Sequence, residues 1–256
     1  MNKALIGHTG FVGSTLIKQT YFTHLYNSKN ISEIKGKAFD LVVCAGAPAQ
    51  KWLANKDPEG DLKNINSLID ILKTVKAKNF ILISTVDVFK SPVKVNEDTK
   101  IETDGLHAYG LHRYYLEEAV KEHFSSSLIV RLPGLIGPGL KKNIIFDFLN
   151  NNNIESIESR NVFQFYPMVN LWNDLKKCTE LKLSLVHLTA EPISVHEVAN
   201  DGFGMEFNNH KDAPLLSYDF QTKLSSNFSG SGNYTYSKKE TLLAIRSYAQ
   251  SEGKSL

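Results

Sequence analysis

Residues 3–13 read Lys3-Ala4-Leu5-Ile6-Gly7-His8-Thr9-Gly10-Phe11-Val12-Gly13. A short apolar run ends in glycine, two more glycines follow at intervals of three, and the residues from Phe11 to Gln19 continue with helical periodicity. That order is strand, turn, helix. A turn of this kind takes glycine where the chain bends tightly, where backbone must approach a pyrophosphate, and where the helix packs on the strand; the amides at the helix start then face the anion. The spacing alone also fits an ordinary strand-to-helix turn. Its place between a strand and a helix favours a dinucleotide-binding turn made by Gly7, Thr9, Gly10, Phe11, Val12 and Gly13, with His8 as a turn residue.

Outward from this unit the alternation persists. Leu25-Tyr26, Asp40 to Ala45, Phe80 to Ser84 and Ser127 to Arg131 read as strands, while Asp61 to Val75, Ala108 to Phe124 and Asn143 to Leu149 read as helical stretches. Continuous apolar strands separated by amphipathic helices describe a parallel sheet covered on both faces. The expectation is an α/β chain, a Rossmann-type doubly wound parallel sheet over residues 1–150, with a small C-terminal α+β annex over 151–256 to bind substrate. Beyond residue 150 the rhythm breaks at Asn150 to Asn153. Ser194/Glu197 and Ser237/Glu240 each have the spacing of a capping box and mark helix starts. The stretch Ser225 to Gly232 reads as a surface loop.

Composition narrows the partners. With 256 residues, 42% hydrophobic and 22% charged, the chain has globular character. The net charge is +2, and 25 of the 29 basic residues are lysines dispersed in singles and pairs. A nucleic-acid groove needs a clustered basic and aromatic stripe, so nucleic acid is not expected. Cys44 and Cys178 make neither a disulfide framework nor a zinc spacing, and no metal motif occurs. No apolar run approaches a membrane span or a signal-peptide core, which predicts a cytoplasmic protein.

A second constellation joins Ser84-Thr85-Val86-Asp87-Val88-Phe89 to Tyr109-Gly110-Leu111-His112-Arg113. A hydroxyl at a strand end can hydrogen-bond a carbonyl or alcohol, and a tyrosine passes a proton when a nearby cation favours its phenolate. Tyr109 and Arg113 are four apart and share a helix face continued by Leu116 and Val120. A core tyrosine beside a snorkelling arginine is the alternative.

Taken together these segments resemble an extended short-chain dehydrogenase/reductase, the class of nucleotide-sugar epimerases, dehydratases and 4-keto-sugar reductases. Gly7, Gly10 and Gly13 match its glycine motif. Thr85 with Val88-Phe89 matches its strand-end motif, Tyr109 and Arg113 its Tyr-x-x-x-Lys, and Arg131 to Pro138 its Arg-Pro-Gly-Asn-x-x-Gly-Pro segment. Cys44-Ala45-Gly46-Ala47 is similar to its small-residue turn. The resemblance implies hydride exchange between nicotinamide and a sugar, with Tyr109 as acid/base, Thr85 on the reacting oxygen and Arg113 as the cation; Ala45, Gly46, Ala47, Leu132 and Pro133 would line the cofactor with Tyr109 and Arg113. The arginine departs from the family: it can hold charge but cannot relay a proton, because it stays protonated. A single carboxylate, Asp87, beside the hydroxyl ranks reduction or epimerisation above dehydration. The rival function is a dinucleotide-binding sensor or partner module without turnover.

At the end of the second strand, Asn27-Ser28-Lys29 offers no carboxylate to grip a ribose and a lysine to attract a 2′-phosphate, which predicts NADP, with NAD as the alternative. For the sugar-nucleotide substrate the candidates are Asp87, Gln164, Tyr166, and Lys141, Lys142 and Asn143 at a helix start, where a diphosphate could sit. Solvated lysines and buried packing of Gln164 and Tyr166 are the alternatives. A homodimer is compatible with the sequence, which does not specify one.

Overall fold

The structure is a computed structural model that describes residues 1–228 and 230–253; Ser229 of the expected Ser225 to Gly232 loop, and residues 254–256 at the end of the expected annex, lie outside the described residues. The chain forms two compact units interleaved in sequence. The first comprises Met1–Lys90, Thr99–Arg131 and Trp172–Val186, the second Ser91–Asp98, Leu132–Leu171 and His187–Leu256. The single boundary expected near residue 150 is therefore replaced by repeated crossings. The stretch Ser91–Asp98 belongs to the second unit because Val93–Val95 pairs in parallel with Asp219–Phe220, a non-local ladder that no local pattern announces.

In the first unit β1 (Lys3–Ile6), α1 (Phe11–Gln19), β2 (His24–Tyr26) and β3 (Ala38–Cys44) are followed by α2 (Lys51–Lys56), α3 (Pro58–Leu72), β4 (Lys76–Thr85) and α4 (Ala108–His123). The six-stranded parallel sheet runs Leu185–His187, Ser127–Leu132, β4, β3, β1, β2. Its strands are buried on both faces, as parallel strands under helices must be: Ala4, Val42 and Phe80 join Ile65, Leu116 and Val120 in one core, while the intervening Leu5, Val43 and Ile81 are also buried. β4 begins at Lys76, before the expected Phe80, because its polar first half is held by backbone pairing to β3 from Ala38/Lys76 onward. α3 begins at Pro58, with Asp57 Oδ1 accepting from the Gly60 N–H at 3.0 Å and proline in the first turn. β1 pairs with β2 on one side and β3 on the other. The strand order therefore reverses beside β1, the place where open α/β sheets bind ligands beyond their carboxyl ends.

The second unit is built from small ladders. Gly134–Ile136 pairs in parallel with Phe165–Pro167, and Val162–Phe163 pairs antiparallel with Ile193–Ser194. Both capping boxes form, Ser194 with Glu197 and Ser237 with Glu240, and the second opens the helix Lys238–Ser251. In the Ser225 to Gly232 stretch, Ser225–Phe228 is a buried-ended helical turn, since Ser225 and Phe228 are both buried and Ser225 Oγ donates to the Gly232 carbonyl at 2.6 Å. That corrects the surface-loop expectation for those residues.

Candidate active site

Gly7 leaves β1 with φ +84°, a conformation that favours glycine, and its N–H donates to the Tyr26 carbonyl at the end of β2 at 2.8 Å. A Cβ on Gly13 would stand 2.1 Å from the Gly7 carbonyl oxygen, so α1 can lie this close to the turn only with glycine there. Gly10 differs. A Cβ at Gly10 would meet only the Gly7 oxygen, at 3.5 Å, and Thr9 and Gly10 are exposed. No side chain caps α1, and its first turn-closing bond is Ser14 N–H to the Gly10 carbonyl. The amides of Phe11, Val12 and Gly13 therefore head an uncapped helix behind an open backbone surface, the arrangement that fits a pyrophosphate. Ala45 and Gly46, at the end of β3, lie directly against Gly7, whose Cβ would come within 2.3 Å of the Ala45 oxygen. Half-buried Ala47 follows in the same turn.

Beside this turn, Asn27 is fixed in orientation. Its Oδ1 accepts from the Lys29 N–H at 2.9 Å, which leaves Nδ2 to donate to His8 Nε2 at 3.1 Å. The imidazole thus serves as acceptor at Nε2, a role for His8 that composition could not disclose. Ser28 and Lys29 are exposed. The second strand is therefore followed by a carboxamide and a lysine, with His8 of the glycine turn against the carboxamide.

At the end of β4, the position of α4 is set by Gly110, where a Cβ would collide with the Asp87 carbonyl at 2.0 Å. His107 caps α4, its Nδ1 accepting from the Gly110 N–H at 3.1 Å. Histidine is not among the favoured caps, so the sequence carries little signal for it. This close approach brings Tyr109 beside Thr85. Burial pushes the Tyr109 phenol up to about 12; the negative charge of Asp87 adds to this, and Arg113 and the Thr85 hydroxyl oppose it.

Arg113 lies over the Tyr109 ring, 4.0 Å from its centroid. Rather than snorkelling to solvent it is 3% exposed. Nη1 donates to Asp61 Oδ2 on α3 at 2.5 Å and to the Tyr109 carbonyl at 3.3 Å, and Nη2 donates to the Pro48 carbonyl at 2.6 Å. Nε is buried without a partner. His112 Nδ1 also contacts Asp61 Oδ2, at 2.7 Å. Burial alone would raise the Asp61 carboxyl, but its bonds from Arg113 and His112 outweigh that and hold it below the ordinary value. Arg113 thus supplies charge to the phenol and a brace to the Ala45 to Lys51 turn, with most of its donors already taken.

Asp87 sits outside the phenol. Thr85 Oγ1 accepts from the Asp87 N–H at 3.1 Å and donates to Oδ2 at 3.2 Å, while Lys51 Nζ on α2 pairs with Oδ1 at 2.6 Å. His107 Nε2 lies 4.0 Å from the same oxygen. Sequence reasoning found Thr85, Asp87, Tyr109 and Arg113 here and missed Lys51, Asp61 and His107. Only Asp61, an acid in the first turn of α3, left a recognisable trace.

The remaining candidates belong to the second unit. Leu132 and Pro133 are buried where the chain enters it. Gln164 is 1% exposed: its Oε1 accepts from the Phe220 N–H at 2.7 Å, and Nε2 is shared among Thr189 Oγ1 and the Ala190 and Phe220 carbonyls. Tyr166 is fully buried against Tyr236. Both are clamps of their own unit, which corrects the expectation that they offer groups to a sugar. Asn143 is corrected likewise. It adopts φ +94°, its Oδ1 accepts the amides of Ile145 and Phe146, and its Nδ2 donates to the Leu135 carbonyl, so the helix-start donors expected for a diphosphate are already occupied. Lys141 and Lys142 are exposed.

A glycine turn at the strand reversal, with a strand-end threonine and a helix tyrosine on the same edge of the sheet, defines a dinucleotide-dependent enzyme of the Rossmann type. The chain belongs to the NAD dependent epimerase/dehydratase family, whose model matches residues 4–176, and it is an NAD(P)-dependent enzyme of the short-chain dehydrogenase/reductase class. No curated relative matches its sequence. Among solved structures it is similar to dTDP-4-dehydrorhamnose reductase from Bacillus anthracis in complex with NADP, at 17% identity over 98% of this chain and 100% of that one, with a TM-score of 0.74. UDP-N-acetylglucosamine 4-epimerase from Methanobrevibacter ruminantium, in complex with UDP-N-acetylmuramic acid, is similar at 14% identity over 97% of both chains, with a TM-score of 0.76. At these identities the likeness is one of fold. Among the described residues no helix is long and apolar enough to cross a membrane.

Proposed function

We propose that this protein reduces or epimerises a nucleotide-linked sugar by hydride exchange with NADP(H). The observation that carries the reading is the meeting of Thr85, Tyr109 and Arg113 on one sheet edge with the glycine turn. When bound, the dinucleotide supplies or accepts a hydride at the sugar carbon. Tyr109 moves the proton at the sugar oxygen, Thr85 orients that oxygen, and Arg113 tempers the phenol electrostatically. The uncapped start of α1 would hold the pyrophosphate, and Asn27, His8 and Lys29 would receive the adenosine ribose with no carboxylate to repel a 2′-phosphate. The reductase and epimerase relatives, one with NADP and the other with a UDP-sugar, support the substrate class. Lys141 and Lys142 supply charge to the substrate diphosphate.

Mass spectrometry of ligands copurifying with the protein, followed by turnover assays with nucleotide sugars and the matching free sugars, tests the reading. Turnover of the nucleotide-linked form with NADPH supports it. A Lys141→Ala, Lys142→Ala double variant should raise KM for the nucleotide sugar alone. The second reading, a dinucleotide-binding protein without turnover, draws on the commitment of Arg113 to Asp61 and the Pro48 carbonyl. Tight dinucleotide binding with no turnover across nucleotide-linked keto-sugars would favour it.

A further inference from the structure

We infer that Asp87, with Lys51, forms a proton path between Tyr109 and solvent, in place of the relay that Arg113 cannot provide. The inference rests on the reading of Tyr109 as acid/base. On the inner side the Tyr109 side chain stands beside Thr85, whose hydroxyl favours the phenolate, Thr85 Oγ1 donates to Asp87 Oδ2, and Asp87 Oδ1 pairs with Lys51 Nζ. Exposure rises along it, from 8% for Tyr109 as a residue to 19% for the Asp87 side chain and 43% for that of Lys51. His107 stands beside the path without joining it: its Nδ1 accepts from the Gly110 N–H, so the proton of the neutral ring resides on Nε2, 4.0 Å from Asp87 Oδ1, where it adds polarity and gives up no proton.

In a reduction the nicotinamide would supply a hydride to the carbonyl carbon, and the carbonyl oxygen would take the proton of the Tyr109 hydroxyl, leaving a phenolate. Thr85 Oγ1 gives its proton to that phenolate and receives one through Asp87, which is a carboxylate at rest and carries the proton only in transit. Lys51 provides it and is reprotonated by water. Oxidation reverses each transfer. The charged and titratable groups around the path are Lys51 from α2, Asp87 after β4, His107 and Arg113 from α4, and, behind Arg113, Asp61 from α3 and His112. A guanidinium that stays protonated cannot stand in this chain, whereas a carboxylate and an ammonium can.

The test uses the protein without added ligands first. Phenolate absorbance is followed against pH, and Tyr109 is isolated from the other nine tyrosines by subtracting Tyr109→Phe. Asp87→Asn removes the negative charge facing the phenol, so the Tyr109 step should move down by about one pH unit or more. Lys51→Met, a change at a half-exposed side chain that should fold, unmasks Asp87 and should move the step up. In turnover of a nucleotide-linked keto-sugar with NADPH, Asp87→Asn should lower kcat about tenfold or more with little change in KM, and added imidazole should restore part of the rate. If Tyr109 titrates alike in the wild type and both variants, or if Asp87→Asn keeps the wild-type kcat and pH profile, the path is overturned. A shifted titration in a protein that turns over no nucleotide-linked sugar would instead overturn the proposed function and leave the coupling standing.

Discussion

Helix α4 carries two buried arginine–carboxylate contacts one turn apart, at Arg113 and at Glu117, and they are built differently. Glu117, fully buried, receives Arg131 through Nε at 3.0 Å and Nη2 at 2.6 Å, with Ser84 Oγ donating to the same carboxylate at 2.5 Å. This ties α4 to β4 and to Ser127–Leu132 with planar, two-pronged geometry. Arg113 splits its donors between a carboxylate on α3 and a backbone carbonyl in the turn after β3, and its Nε has no partner. One pair fastens a helix to two strands of the sheet. The other holds a charge against a phenol and props a turn beside the glycines, with a buried donor left over. The contrast shows where α4 is scaffold and where it is site: the boundary falls between residues 113 and 117.

The largest expected effect lies on the scaffold side. Glu117→Gln leaves the Arg131 guanidinium buried without its counter-charge, and breaking such a pair typically costs about 3–5 kcal/mol. Urea unfolding should show that loss in the midpoint with dinucleotide affinity per folded molecule preserved. A small change in midpoint would erase the distinction between the two contacts.

On the site side, Tyr109→Phe should cost about 10² to 10⁴ in kcat, the usual contribution of a positioned acid/base, while stability and dinucleotide affinity stay near wild type. The phenol of Tyr109 is pushed up to about 12, burial being the first cause, so the group is protonated throughout the neutral range and suits the acid of a reduction. Full turnover by Tyr109→Phe, measured with a nucleotide-linked keto-sugar, would reject the role.

These two contacts also mark how far the sequence could be read. The strands and helices of the first unit were legible because parallel strands must be apolar throughout and helices amphipathic, and the Thr85, Tyr109 and Arg113 set could be found from spacing along one strand end and one helix. What stayed hidden was non-local. Asp61 lies 52 positions from Arg113 and Lys51 lies 36 from Asp87, so each looked like an ordinary surface charge until tertiary packing paired it. Gln164 and Asn143 erred the other way: amides that could serve a ligand were consumed by backbone groups, distant in the case of Phe220 and local in the case of Ile145 and Phe146.

A smaller effect separates Asp61 by pH. Burial raises its folded carboxyl, but the bonds from Arg113 and His112 hold it below the ordinary value, so the folded state binds its proton less readily than the unfolded chain. The stabilisation is therefore fully present above the ordinary carboxylate range and is lost as pH falls through the depressed folded value. Asp61→Asn should be less stable than wild type at pH 7, and the difference should shrink as the pH falls to about 3 and below. A constant gap in urea midpoint across that range would show that Asp61 braces Arg113 by shape alone.

The smallest effect belongs to the far end of the dinucleotide cradle, where nothing is buried and the contrast with Arg113 is sharpest. Lys29 is exposed, and only its backbone N–H is engaged, with Asn27 Oδ1. An exposed ammonium beside a phosphate is worth about 0.2–1 kcal/mol, so Lys29→Ala should weaken NADPH no more than about fivefold and leave NADH unchanged. The loss should fade in high salt, as screening of a solvent-exposed charge requires. Asn27→Asp provides the stronger lever at the same spot. It keeps an oxygen for the Lys29 N–H, removes the donor to His8, and places a carboxylate where the ribose hydroxyls of NADH would gain an acceptor and a 2′-phosphate would be repelled. Fluorescence titration of both dinucleotides against wild type, Lys29→Ala and Asn27→Asp should give a preference for NADPH, a reduced preference and a reversal, in that order. Tighter binding of NADH by the wild type, unmoved by Lys29→Ala, would assign this end of the cradle to NAD.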